Sequence, residues 1–210
     1  MSLSMANDFS VERKTPVLSR DFSSLSLQQA AEMLAARSLP PVDQWHPERS
    51  GDSHMEIMAD GRWFHEGGEI KRPAMVQLFS TILRREADGS YALVTPAERQ
   101  SIIVHDLPFR AVELKSEGQG KTRKLVFRLN TDELVMAGAD HPLSFGPDTD
   151  VPDPRLHVRG PLGNGLSARL DRAIYYELID MALADAADAP DRQDAPSIWS
   201  NGAAFSLGGA

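Results

Sequence analysis

The chain has 210 residues, 41% of them apolar, a formal net charge of −8 and no cysteine. That length holds one large domain or two small ones with a buried core, and the missing thiols exclude disulfides, thiolate metal sites and thiol catalysis. The acidic balance argues against duplex nucleic acid and anionic membrane surfaces as partners, since both call for a cationic footprint. No stretch nears the ~18 apolar residues of a membrane span, and the start MSLSMANDFSVERK lacks the apolar core of a secretory signal, so a cytoplasmic protein is expected.

Residues 1–22 show no period and read as a flexible arm. Ser26 and Gln29 have capping-box spacing, and LQQAAEMLAAR puts Leu27, Ala30, Ala31 and Leu34 on one face of a short helix that Pro40 and Pro41 stop. After Trp45-His46-Pro47, HMEIMADGRWFHEGGEIKR alternates Met55, Ile57 and Ala59 against His54, Glu56 and Met58. It turns at Asp60-Gly61 and Gly67-Gly68, the pattern of an antiparallel meander. Pro73 opens a helix in which Met75, Val76, Phe79, Ile82 and Leu83 recur at helical spacing until Asp88-Gly89 ends it.

From Tyr91 about seven strand signals follow: YALVT, SIIVH, RAVELK, KLVFRL, ELVMAG, PLSF and RLHVR. A helix over residues 169–184, with Ile174, Leu178 and Met181 in one row, closes the order. The pattern predicts an α+β protein of two domains, residues 23–87 and 88–185, the second a small antiparallel barrel or sandwich plugged by its C-terminal helix. Residues 186–210 read as a mobile tail of acidic and small residues, to which Trp199 and Phe205 offer anchors. An internal echo links GGEIKRPAMVQLFSTIL with GNGLSARLDRAIYYELI, matching Arg72 to Arg169, Leu78-Phe79 to Tyr175-Tyr176 and Ile82 to Ile179. It suggests duplication of a strand–strand–helix unit.

Several strings invite a chemical reading. GQGKT at residues 118–122 ends like a phosphate loop, but Lys115 stands where the first glycine belongs and RKLVFRL alternates like a strand, so a hairpin tip is expected. Asp52, His54 and Glu56 would share one strand face near Asp60 and His65. Without a closely spaced second histidine they read as the polar side of a half-buried strand, and neither metal nor cofactor is expected. Thr95-Pro96-Ala97-Glu98 has the makings of a capping box on a single helical turn between two strands. Asp106-Leu107-Pro108-Phe109 is a turn in which the aspartate bonds backbone amides, and His141-Pro142 occupies a similar loop. Arg72, Arg169, Arg172 and Arg159 offer bidentate donors for phosphate or carboxylate, against the alternative of surface salt bridges to Glu69 or Asp171.

In combination these strings resemble the uncharacterised bacterial family catalogued as domain of unknown function 1285, over about residues 45–180. They are Asp60-Gly61-Arg62-Trp63, Ile70 and Arg72, Met75-Val76-Gln77-Leu78-Phe79-Ser80, Asp88-Gly89-Ser90-Tyr91, Thr95-Pro96-Ala97-Glu98, Asp106 to Phe109, Asp140-His141-Pro142-Leu143 and Tyr175-Tyr176-Glu177-Leu178. The chain departs from the family pattern at Gly67-Gly68, where Ser-Pro is usual, at Ser50-Gly51, where Cys-Gly is common, and at Gly163-Asn164-Gly165, which looks inserted. The resemblance implies a duplicated core whose second half is similar to a pleckstrin-homology fold. It also implies a site between the halves suited to a nucleotide-like ligand in signalling, with no established activity.

The leading functional expectation is a non-enzymatic sensor or adaptor that binds a small anionic ligand between its domains. Arg72, Arg169 and Arg172 would hold the anion, Thr95, Glu98 and Asp106 would add polar contacts, and His141 would close the rim. Two alternatives stand beside it. One is a protein-interaction module using the barrel edge or the aromatic hairpin at Trp63 and Phe64; the other is a hydrolase-type enzyme using His141 and Asp106. No G-x-S-x-G elbow or H-E-x-x-H pair supports the last.

Overall fold

A computed structural model of the chain describes residues 22, 25–36, 38–145, 152–187 and 197–207. The expected reciprocal cap forms: Gln29 N donates to Ser26 Oγ at 3.1 Å and Ser26 N to Gln29 Oε1 at 2.8 Å. Helix α1 (Leu27–Ala36) follows. Its Leu27 and Ala30 bury with Phe22 and Leu25 against Val126 and Leu134, so this helix packs on the second half of the chain, although the sequence division grouped it with the first.

The first sheet contains β1 (Arg49–Ile57), β2 (Trp63–His65), β3 (Gly68–Glu69), β4 (Leu83–Arg85), β5 (Tyr91–Val94) and β6 (Glu98–Val104) in the order β3-β2-β1-β6-β5-β4. It is two three-stranded meanders joined through a parallel β1–β6 pair. Helix α2 (Pro73–Thr81) connects them, opened by Pro73 as expected but ending at Thr81 rather than at Asp88. Ser80 and Thr81 turn their hydroxyls back onto the carbonyls of Gln77 and Leu78, at 2.8 and 2.7 Å, and Ile82 N reaches Phe79 O at 3.2 Å. Leu83 suits a helix face or a strand face equally; pairing opposite Leu93 buries it completely, and the strand wins. The expected domain boundary at 87/88 therefore falls inside the β4–β5 hairpin.

The second sheet contains β7 (Phe109–Glu117), β8 (Lys124–Leu129), β9 (Leu134–Met136), β10 (Leu143–Ser144), β11 (Arg155–Arg159) and β12 (Leu166–Leu170), in the order β10-β11-β12-β7-β8-β9. Counted from its own first strand and read from the β9 edge, it runs 3-2-1-6-5-4, the same order as the first sheet. Its central pair, β12 with β7, is parallel too, so the second unit is not purely antiparallel. The duplicated unit is thus a whole six-stranded sheet and not a strand–strand–helix piece. Helix α2 bridges the third and fourth strands of its sheet, whereas α3 (Arg172–Ala187) follows the sixth strand of the other. Arg72 and Arg169 accordingly occupy unrelated places. The source of the mismatch is β12, whose alternating Leu166, Ala168 and Leu170 are buried but whose last residues the helical reading absorbed.

Helix α3 buries Ile174, Leu178 and Ala182 along one face and packs on β7. Two further strands, β13 (Ser197–Ser200) and β14 (Ala203–Ser206), form a hairpin on the second unit, where a mobile tail was expected. Asn201 and Gly202 take φ of 47° and 80°, the left-handed pair that a two-residue hairpin turn needs. Ile198 and Phe205 bury against the main core, and Ser200 Oγ accepts from Leu125 N at 2.9 Å while donating to Ala137 O at 2.7 Å. The remainder of the expected tail, residues 188–196 and 208–210, and the arm, residues 1–21, lie outside the described residues. One apolar cluster runs through both sheets, from Met55, Ile57, Trp63 and Leu83 to Phe109, Phe127, Leu156 and Leu178. Among the described residues no helix is long and apolar enough to cross a membrane.

Candidate functional site

Where the two sheets meet, side chains of the second unit reach main-chain carbonyls of the first. Arg110 Nη1 donates to Ala59 O at 3.0 Å, Asn130 Nδ2 to Gly61 O at 3.1 Å and Asn164 Nδ2 to Glu86 O at 3.1 Å, while Arg159 donates to Ser80 O. In return Gln77 Nε2 donates to Asp132 Oδ2 at 3.0 Å, and Arg128 holds the other oxygen of that carboxylate at 2.7 Å. Gly61 sits at the tightest point of this join with φ +84°. A Cβ there would stand 2.5 Å from Asn130 Nδ2 and 3.2 Å from Arg110 Cδ.

Beside Gly61 opens a cleft of about 290 Å³, walled by Arg62, Trp63, Lys71 and Val76 of the first unit and by Asn130 and Thr131 of the second. Trp63 is 1% exposed and Thr131 3%. Neither the indole Nε1 of Trp63 nor Oγ1 of Thr131 has a hydrogen-bond partner within the protein. A buried donor left unmade costs about 1–3 kcal/mol, and each of these groups can donate to an oxygen acceptor. Of the cations at the mouth, Arg62 is held by Asp60 at 2.7 Å and approaches Glu69 at 3.8 Å. Lys71 is exposed and has no ion pair among the described residues. Neither Trp63 nor Thr131 stood out as a ligand contact in the sequence: the tryptophan reads as a hairpin aromatic, and nothing local to Thr131 announces a neighbour so distant along the chain.

The residues anticipated from sequence are spread over several places. Arg155, Arg169 and Arg110 are cross-strand neighbours on β11, β12 and β7. Arg169 grips Asp106 with both arms of its fork, Nε to Oδ2 at 2.5 Å and Nη2 to Oδ1 at 2.6 Å, and its Nη1 reaches Asp153 Oδ1 at 2.5 Å. Arg155 takes the other oxygen of Asp153, and Arg110 bonds Asp171. The bonds from Arg169 hold the Asp106 carboxyl below the usual carboxylate range, as those from Arg155 and then Arg169 do for Asp153. Asp106 and Arg169 do come together, but as partners of each other.

Thr95 and Glu98 lie at the far end of β6 from Asp106. In place of a helical turn they make a tight hairpin corner, Thr95 Oγ1 accepting from Ala97 N at 3.3 Å and Glu98 N at 3.1 Å while Thr95 N donates to Glu98 O at 2.9 Å. The cap chemistry survives and the helix does not, because β5 and β6 pair up to the corner on both sides. His141 stacks on buried His157 with ring centroids 6.3 Å apart, and no hydrogen bond among the described residues joins it to Asp106. Arg72 is an exposed residue before α2, its carbonyl accepting from Met75 N at 3.0 Å. Arg172 lies over the Tyr176 ring at 5.6 Å, away from Arg72 and beside Arg169. Asp52, His54 and Glu56 do not share a face: His54 takes φ +52° at an irregularity in β1, where Asp52 Oδ1 accepts from its amide at 2.9 Å. Among the described residues no cluster of three or more histidines and carboxylates is arranged to hold a metal ion.

Two six-stranded sheets of one topology, latched side chain to carbonyl and sharing a core, define a duplicated α+β protein with a cleft at its join. Family models match both units: DUF1285, N-terminal domain, described as a domain of unknown function, over residues 40–107, and DUF1285, C-terminal domain, described as a protein of unknown function, over residues 108–207. The chain belongs to the DUF1285 family. The crystal structure of a DUF1285 family protein from Silicibacter pomeroyi DSS-3 is similar, with 36% identity over 88% of this chain and 95% of that one and a TM-score of 0.69. A second, from Shewanella baltica OS155, has 26% identity over 62% of this chain and 94% of that one, with a TM-score of 0.47. Among the curated proteins none matches. The two family models divide between residues 107 and 108, which is the passage from β6 to β7.

Proposed function

We propose that this protein is a ligand-binding sensor or adaptor of bacterial signal transduction, working in the cytoplasm, whose small anionic or nucleotide-like ligand enters the cleft between the two sheets. The observation that carries the reading is the pair of buried donors, Trp63 Nε1 and Thr131 Oγ1, which belong to residues of different units lining the same cleft and have no partner in the protein. Ligand oxygens accept from both, and Lys71 at the mouth, without an ion pair among the described residues, supplies a cation beside them. Because the two donors belong to different units, a ligand bound to both draws the sheets together, which is how binding becomes a signal. In this reading the second unit, a sheet with its C-terminal helix packed against it, serves as the pleckstrin-homology-like half. The ligand-holding residues are Trp63, Lys71 and Thr131 in place of Arg72, Thr95, Glu98 and His141, which the fold disperses.

Thermal-shift titration with nucleoside mono- and cyclic phosphates and with inorganic phosphate tests it. A midpoint rise with a nucleotide that is lost in Thr131→Val combined with Lys71→Gln supports the reading. No rise with any of these, or a rise indifferent to both substitutions, removes it.

A second reading, a protein-interaction module, is favoured by Met75 and Leu78 on the outward side of α2, the latter 63% exposed. A stoichiometric partner recovered with the intact chain and lost with Leu78→Lys would support that reading; a chain that recovers none dismisses it.

A further inference from the structure

We infer that the second unit carries a separate site, away from the cleft between the sheets, for a small flat ring bearing a single oxyanion. The place is a hollow of about 370 Å³ where β7 and β12 meet the first turn of α3, bounded by Arg110, Arg169, Arg172, Pro154, Tyr175 and Tyr176. Its volume is in the range of small-molecule pockets, roughly 300–1,000 Å³. All its lining residues belong to the second unit.

The charges around the hollow identify the guest. Arg110, Arg169 and Arg155 form a row across three neighbouring strands, and Asp171, Asp106 and Asp153 match that row one for one. Arg172 is left over. Its Nη2 and Nε donate to the Tyr176 hydroxyl at 3.1 and 3.3 Å, a neutral partner, and no carboxylate among the described residues pairs with it. Among the described residues the uncompensated charge at the rim is therefore one, which suits a ligand with one anionic group.

The rest of the lining selects a ring. With Nε and Nη2 turned to the Tyr176 hydroxyl, the guanidinium presents its Nη1 side to a carboxylate or phosphate while the aromatic face fixes its tilt. Tyr175 extends the aromatic surface, its ring centroid 5.9 Å from that of Tyr176 and 6.0 Å from that of Phe145, and Pro154 and the buried Leu170 complete an apolar wall. Tyr176 is 49% exposed, so the stack is open to a guest. A ring sliding against this wall brings its oxyanion to the Arg172 edge.

Isothermal titration of the full chain with benzoate and with phenyl phosphate tests the site, with acetate lacking the ring and benzyl alcohol lacking the charge as controls. Both ring anions are expected to bind, and acetate and benzyl alcohol to bind at least about tenfold more weakly. Arg172→Gln should reduce the affinity for the ring anions by about tenfold or more, since one charge-assisted contact is worth that much. Tyr176→Leu should weaken them as well, whereas Lys71→Gln, in the other cleft, should leave them unchanged. Both tested positions are exposed, and circular dichroism of each variant checks that it folds. Absence of binding at millimolar concentration, equal binding of benzyl alcohol, or affinity unaffected by Arg172→Gln overturns the inference.

Discussion

Gly61 carries the narrowest constraint in the chain, because two independent demands fall on it. Its φ of +84° is strained for any residue with a Cβ, and the Cβ itself would collide with the Asn130 amide and the Arg110 stem across the join. Gly61→Ala should therefore lower stability by about 2 kcal/mol or more, read as a shift in urea midpoint; an unchanged midpoint would show that the join yields at no cost. His157 imposes a different constraint, one that depends on pH. Burial, and then the neighbouring His141, pushes its pKa below the ordinary 6.5, so the unfolded chain takes up the proton first as pH falls. The stabilising contribution is complete above the unfolded value and is lost as pH falls toward the folded one. Thermal midpoints should drop as pH falls through about 6.5 and below, and His157→Gln should flatten that drop; a slope identical in both proteins would exclude His157 as its source.

Among the elements, those whose signal is local were legible from sequence. The Ser26–Gln29 cap, Pro73 at the start of α2 and the strand KLVFRL each express a rule that operates within a few residues and each forms, although β8 buries Val126 against α1 as well as Leu125 and Phe127 in the main core. The failures share a cause as well. Strands β4 and β12 are short runs with two possible periods, and only a pairing partner, β5 across a hairpin for one and β7 far back along the chain for the other, decides between them. The candidate site has the same limitation: Lys71, Arg62 and Trp63 lie in a motif-rich cassette, but Thr131 enters only because the second sheet docks there. The β13–β14 hairpin is the exception, since Asn201-Gly202 is a strong turn signal, hidden in a stretch whose small residues resemble a linker. Ser200 fixes that hairpin to the ends of β8 and β9. Ser200→Ala strands the Leu125 N–H and the Ala137 carbonyl in a dry place and should cost about 1–3 kcal/mol, with faster amide exchange at Leu125. Protection of that amide equal to the parent's would mean that the hairpin is held without the Ser200 hydroxyl, by Ile198, Phe205 and the bond from Asn201 N to Arg123 O.

For the molecule as a whole, the question is whether two copies of one sheet make two domains or one. Duplication and the family boundary between residues 107 and 108 suggest two, but three features of the join favour a single cooperative unit. The apolar cluster passes from one sheet to the other without a break. Apart from the Gln77–Asp132 bond, the polar latches run from side chains to main-chain carbonyls, so they require the first unit's backbone to be formed before they close. Helix α1 lies on the second unit, yet the chain that follows it is held to the first, where Arg84 Nη1 donates to the carbonyls of Val42 and Trp45 at 2.9 and 2.8 Å. A first unit of this size, alone, buries too little surface to be more than marginally stable. Calorimetry should accordingly show one transition, with calorimetric and van't Hoff enthalpies in a ratio near one. The isolated segment 40–107 should lack any cooperative melt. Two resolved transitions, or a cooperative melt of that segment, would mean that the sheets are independent domains resting on each other, and the cleft between them would then open on the scale of a hinge rather than breathe within a shared core.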